Sequence, residues 1–211
     1  MCSSDLWNGR RISVPLGGRV NMMNSLAAAS AAVSLGVDDA AIVEGLSAAH
    51  AVPGRYQSVD NSRGISIVVD YAHTPEAIAG LLEGVREVLP VGARVIVVFG
   101  CGGDRDRDKR PLMGRSARHG ADTVVVTSDN PRSESPQSII DGIVAGIGSN
   151  LEDVHPIVER REAIEFAIRH AKPGDAVVIA GKGHESTQTI GDTVVDFDDV
   201  LVAREIAGGA A

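Results

Sequence analysis

The chain has 211 residues, enough for one complete domain and part of another. Apolar residues make up 44% and aromatics only 3%, so any core must be built from Val, Ile, Leu and Ala. With 28 acids against 20 bases the net charge is −8, which argues against a generic nucleic-acid or anionic-membrane surface.

Two cysteines, Cys2 and Cys101, supply neither a disulfide framework nor a paired metal spacing. No window approaches a membrane-spanning apolar stretch, and the first residues lack a basic region followed by an apolar one. A cytoplasmic protein is therefore expected.

Residues 11–14 read as a lone strand with nothing upstream to pair with, which suggests a fragment of a longer chain. Residues 21–35 are Ala-rich and helix-prone, with Asn21 as N-cap and Gly36 as stop. A second helix spans about 38–50, and Val52-Pro53-Gly54 then breaks the pattern as a boundary or hinge. Beyond it, short apolar strands at 65–69, 94–99, 123–127, 154–158 and 176–180 alternate with helices at 75–89, 109–119, 136–147 and 159–171. That alternation predicts an α/β, Rossmann-like, mainly parallel sheet. A β-hairpin follows, with strands at 187–190 and 193–197 around Gly191-Asp192, and a helix at 198–206 closes the domain.

In a parallel sheet, the loops after the strand C-termini build the ligand site. Four polar clusters fall there: Asp70-Tyr71-Ala72-His73-Thr74-Pro75, Gly100 with the charged residues up to Arg107, the run through Asp129-Asn130-Pro131-Arg132, and Gly181-Lys182-Gly183-His184-Glu185. Any one of them alone reads as a solvated turn; four on one sheet edge point to a site. Pro131 stiffens its loop and biases Asn130 toward an extended conformation. Asp129 and Arg132 beside it could grip a group carrying both an ammonium and a carboxylate. Arg105 offers a bidentate contact to a carboxylate or phosphate. Asp70 suits a ribose hydroxyl, His73 a phosphate, and Glu185 a substrate ammonium, whereas Thr74 before Pro75 reads as a helix cap. Lys109-Arg110 opens a helix against its dipole, which implies an anion or acidic partner nearby. Cys101, a single thiol without a fixed partner, reads as inert. No Gly-x-x-x-x-Gly-Lys-Ser/Thr phosphate-binding loop occurs.

With its clusters in this order the chain resembles the Mur ligases, from about Val14 to Ile206. The resemblance is carried by Pro15-Leu16-Gly17-Gly18-Arg19-Val20-Asn21 with Asn24 after it, by Val52-Pro53-Gly54-Arg55, and by residues 69–75, 98–113, 127–132 and 180–185. It implies that residues 1–51 are the helical tail of a central ATP-binding domain and 52–211 a C-terminal amino-acid-binding domain. The phosphate-binding loop, the Mg²⁺ ligands and the family's carbamylated lysine would then lie outside this chain, leaving no metal ligand and no assigned catalytic residue within it.

The implied activity is amide ligation in peptidoglycan precursor synthesis. ATP phosphorylates a D-glutamyl γ-carboxylate, an amine attacks the acyl phosphate, and a tetrahedral intermediate collapses to amide and phosphate. By the same resemblance Asn24, Arg55, Asp70 and His73 bind ATP. Arg105, Asp129, Asn130, Pro131, Arg132, Gly181 and Glu185 bind meso-diaminopimelate, the arginines taking carboxylates and Asp129 and Glu185 the distal ammonium. Lysine lacks the second carboxylate and would leave Arg132 poorly paired, so Arg132 argues for diaminopimelate. The other implied substrate is a UDP-N-acetylmuramoyl dipeptide. A monomer with no nucleic-acid or membrane partner is expected. Ser186-Thr187 and Val20 depart from the family pattern at positions usually aromatic. The competing readings are a lysine-adding or folylpolyglutamate-synthase-like ligase, and an amino-acid-binding module without catalysis.

Overall fold

The structure, a computed structural model, describes residues 3–7 and 10–208. The chain divides into two compact units, Met1–Val52 and Pro53–Ala211.

In the first unit, β1 (Ser3–Trp7) pairs antiparallel with β2 (Arg10–Val14), Ser3 opposite Val14 and Trp7 opposite Arg10. The strand expected to stand alone therefore has a partner immediately upstream. Between the two in the sequence lies Asn8-Gly9, a composition favoured in two-residue hairpin loops. Two helices follow, α1 (Arg19–Ser34) and α2 (Asp39–Ser47). Asn21 is not the N-cap of α1, because the helix begins after Gly18 and the Asn21 side-chain amide donates to the Gly17 carbonyl at 2.9 Å. Asp38 does cap α2, accepting from the Ala40 amide at 2.8 Å.

The second unit is built on a six-stranded sheet in the order β3-β4-β8-β5-β6-β7. Its strands are β3 (Gln57–Ser58), β4 (Ser66–Asp70), β5 (Val95–Phe99), β6 (Thr123–Val126), β7 (Val154–Pro156) and β8 (Ala176–Ala180). All pairs are parallel except β3 with β4. At two residues β3 is too short to leave a periodic signal in the sequence.

The helices α3 (Pro75–Arg86), α4 (Lys109–Gly120), α5 (Pro136–Val144) and α6 (Arg160–His170) connect successive parallel strands. Every residue of β5, β6 and β8 is buried, as a sheet covered on both faces requires. Side-chain alternation divides the core in two. Val97, Phe99, Val124, Val126 and Val178 pack with Ile78, Leu82, Met113 and Ile140 of α3, α4 and α5. On the other face Ile96, Val98, Val125, Val177 and Ile179 pack with Ile164 and Ile168 of α6 and with Ala203 of α7 (Asp199–Ala207).

Local chemistry sets the helix starts. Thr74 Oγ1 accepts from the Ala77 amide at 3.2 Å with Pro75 in the first turn, and Asp198 Oδ1 accepts from Val200 and Leu201 at 2.8 and 3.0 Å. Between β8 and α7, β9 (Thr187–Ile190) and β10 (Thr193–Asp196) form an antiparallel hairpin.

Helix α3 and the end of α4 meet at Leu82, which is fully buried; a Cβ on Gly120 would lie only 2.8 Å from its side chain. Leu82→Ala should therefore lower unfolding stability by about 2–5 kcal/mol, read as a shift of the urea midpoint at constant m-value.

Candidate functional site

Because β4, β5, β6 and β8 are parallel, the loops after Asp70, Phe99, Val126 and Ala180 emerge on one edge. They form two clusters of side chains. The first is centred on the 129–132 loop. Asn130 turns its Nδ2 onto Glu185 Oε2 at 2.8 Å, and its Oδ1 accepts from the Thr189 amide at 2.9 Å. The Asp129 carbonyl accepts from Gln188 Nε2 at 2.7 Å. This loop is thus fastened to β9 of the hairpin.

Arg132 continues that seam. Its amide donates to Thr189 O at 3.1 Å and its carbonyl accepts from the Gly191 amide at 2.7 Å. Its φ of +52° lies in the left-handed region, which disfavours a residue with a Cβ. The two main-chain bonds hold it there, and Nη1 donates to Gly103 O at 2.7 Å. A Cβ on Gly102 would sit 2.9 Å from Arg132 Nη1 and 3.7 Å from Arg105 Cγ, so both arginines flank that glycine. Arg105 is exposed, and among the described residues its guanidinium donates only to its neighbour's carbonyl, at 3.4 Å.

Asp129 is 8% exposed, yet its carboxylate accepts no hydrogen bond among the described residues. Its Oδ2 lies 2.7 Å from where a Gly181 Cβ would be, and the backbone there has φ +111°. Any larger residue at 181 would push the carboxylate aside. Pro131 is buried, and its carbonyl accepts from the Glu134 amide at 3.1 Å. Asp129, Asn130, Pro131, Arg132, Arg105, Gly181 and Glu185 therefore come together in one place.

The second cluster surrounds Tyr71. Arg55 lies over its ring at 4.8 Å, and the rings of His73 and His184 lie 4.7 and 5.3 Å away. Asp70 is held by two main-chain donors, Tyr56 N at 2.7 Å and Ala72 N at 2.8 Å. Arg55, Asp70 and His73 are thus neighbours, while Asn24 lies exposed on α1 of the other unit.

Sequence reasoning missed the supports beneath these loops. Arg160 is 1% exposed and Asp199 fully buried, joined by bonds of 2.8 and 2.7 Å. Arg160 also donates to Ser128 O at 3.2 Å and Ala180 O at 3.0 Å. Burial works against its charge, but Asp199 outweighs that and holds its pKa above the ordinary arginine value. One signal was available: Asp198-Asp199 places two acids where a cap needs one.

The acidic partner implied by Lys109-Arg110 is Glu134, which accepts two bonds from Arg110 at 3.1 and 2.8 Å. The Arg110 hydrogen bonds, with one from the Asp104 amide, hold the Glu134 carboxyl at about 2 against an ordinary 4.5. Burial, in contrast, pushes the Cys101 thiol up to about 12, consistent with an inert packing role. Among the described residues no group of three or more His, Cys, Asp or Glu could hold a metal ion. No helix among them is long and apolar enough to cross a membrane.

Since the folded Glu134 titrates below its unfolded value, its contribution is present above pH 4.5 and is lost as pH falls toward about 2. The difference in melting temperature between the parent and Glu134→Gln should accordingly shrink across that window, as followed by circular dichroism at constant ionic strength.

Comparison with known proteins agrees with the fold. The family described as Mur ligase, glutamate ligase domain, matches residues 54–183. The chain is 53% identical over 194 residues to the UDP-N-acetylmuramoyl-L-alanyl-D-glutamate–2,6-diaminopimelate ligase of Gloeobacter violaceus, covering 90% of this chain and 39% of that protein. A solved structure of a ligase with that name is 42% identical, with a TM-score of 0.73 over 94% of this chain and 40% of that one. A folylpolyglutamate synthase from Mycobacterium tuberculosis, solved with ADP and AMPPCP, shares the fold at 19% identity, with a TM-score of 0.66 over 99% of this chain and 47% of that one. The chain spans about two-fifths of the length of the curated relatives it matches. On its sequence, its sheet and its strand-end loops, this chain belongs to the Mur ligase family.

Proposed function

We propose that the chain is the amino-acid-binding part of an ATP-dependent ligase that joins meso-diaminopimelate to a UDP-N-acetylmuramoyl-L-alanyl-D-glutamate acceptor. In this reading residues 1–51 are the tail of a central ATP-binding domain, and 52–211 form the C-terminal domain. The observation that carries it is the unbonded carboxylate of Asp129, 8% exposed, lying in one cluster with Glu185, Arg132 and Arg105.

The Asp129 oxygens are not among the fully buried unpaired atoms, so the carboxylate is held by its loop yet open to a cation from solvent, and a substrate ammonium is such a cation. Asp129 and Glu185 would bind the distal ammonium, while Arg132 and Arg105 take the carboxylate on the same carbon. An amino acid with an ammonium and a carboxylate at its far end satisfies both signs, whereas lysine leaves the guanidinium groups unpaired. Asn130 supports the site by orienting Glu185, and Pro131 and Gly181 by shaping the loops.

The cluster at Tyr71 suits a nucleoside triphosphate. The two main-chain bonds fix Asp70 while each oxygen keeps a lone pair for a ribose hydroxyl, and Arg55 and His73 offer positive charge to phosphates. Asn24 would contact the base. Mg²⁺ would neutralise phosphate charge, with ligands outside this chain. The residues described here bind and orient: they hold the free amine of diaminopimelate where an acyl phosphate on the D-glutamyl γ-carboxylate can receive it.

In the full-length ligase, Arg132→Ala should raise the KM for meso-diaminopimelate by about tenfold or more, the value of a lost charge-assisted bond, and leave the KM for ATP within about twofold. Equal rises for both substrates would remove Arg132 from the amino-acid site. The purified 211-residue chain, which lacks a Gly-x-x-x-x-Gly-Lys-Ser/Thr loop, should release no ADP from ATP; measurable turnover would contradict the proposed division of labour.

A further inference from the structure

We propose that Lys182 is a positioning residue that presets the Glu185 carboxylate to receive the substrate's distal ammonium, an inference that rests on the ligase reading above. Lys182 lies two residues beyond the end of β8 and is completely buried, an unusual state for an ammonium. Its Nζ donates to Thr187 O at 2.5 Å and to Glu185 Oε2 at 3.3 Å. Asn130 Nδ2 donates to the same Oε2 at 2.8 Å.

Both donors thus hold one oxygen, and Glu185 Oε1 has no hydrogen bond among the described residues. The Glu185 side chain is 34% exposed while the lysine behind it is 0% exposed, so the anchored half faces protein and the carboxylate remains reachable. A carboxylate fixed through one oxygen loses its rotational freedom before any ligand arrives, and that entropy need not be lost on binding. The bond to Thr187 O also joins the anchor to the first residue of β9, whose later residue Thr189 donates to Asn130. Lys182 and Asn130 therefore approach Glu185 from two elements that are themselves linked. A lysine serving only as filler would be inferior here to a methionine of similar length, because an isolated buried charge is penalised.

The test uses the full-length ligase and two amino acids: meso-diaminopimelate, and L-2-aminopimelate, which keeps the reacting amine but has hydrogen in place of the distal one. Lys182→Met is expected to raise the KM for meso-diaminopimelate by about tenfold, leave the KM for ATP unchanged, and alter the KM for L-2-aminopimelate by less than about twofold. An equal rise for both amino acids would overturn the inference, because the effect would then not pass through the distal ammonium. So would an unchanged KM for meso-diaminopimelate. A parent enzyme that does not use meso-diaminopimelate would overturn the ligase reading and this inference with it. Lys182→Gln, which retains a donor, runs in parallel, with thermal melts on both. It is expected to show the same selectivity at smaller amplitude, and it decides the question if the methionine variant does not fold.

Discussion

The loops of the site depend on one buried ion pair, Arg160 with Asp199. Taking both charges out of water is expensive, and the pair is tolerable only because its hydrogen-bonding groups are well used. Arg160 gives two bonds to the Asp199 carboxylate and one each to Ser128 O and Ala180 O. Those carbonyls stand immediately before Asp129 and Gly181. The chain thus leaves β6 and β8 from points fixed by the same guanidinium, which also locks the start of α6 to the start of α7. Removing either partner would strand a charge in the core, at a cost of about 3–5 kcal/mol.

The two edges of the sheet use their charges differently. At the N-terminal edge, Asp175 accepts two bonds from the Arg94 side chain and the amides of Arg94 and Lys172. Asp122 accepts from Arg86 and from the Val95 amide. Asp175 is bonded through both oxygens and Asp122 through Oδ2 alone, and both tie strands to helices. At the opposite edge, among the described residues, the Asp129 carboxylate has no donor, Glu185 has one oxygen occupied, and the Arg105 guanidinium bonds only its neighbour's carbonyl. Unspent polar capacity held by a rigid scaffold is what a binding site requires, and it gathers where the parallel strands end.

Much of this was legible in the sequence. The alternation of β-branched runs with amphipathic helices gave the parallel sheet, because a sheet covered on both faces leaves nearly continuous apolar strands. The four polar clusters were recognisable because each followed such a run. The ion pair beneath them was not, since Arg160 and Asp199 are 39 residues apart and each looks like an ordinary charge at a helix start. Nor was the left-handed backbone at Arg132, which comes from its main-chain bonds to Thr189 and Gly191. Lys182 stood in a conspicuous Gly-Lys-Gly setting, but only burial and contacts separate an anchoring lysine from a solvated one. β1 escaped notice because Ser3-Ser4-Asp5-Leu6-Trp7 does not alternate, although the Asn8-Gly9 dipeptide that follows is a hairpin signal in the sequence.

In the proposed reading, a site that takes both signs at the far end of an amino acid would account for the carboxylates and guanidinium groups that converge from three loops. The most direct test is a crystal structure of the full-length ligase with meso-diaminopimelate bound. The distal ammonium is expected within hydrogen-bond distance of the Asp129 and Glu185 carboxylates, with the carboxylate on the same carbon bridged by Arg132. A ligand bound elsewhere, or one whose distal carboxylate faces solvent while Arg132 stays on Gly103 alone, would contradict that assignment.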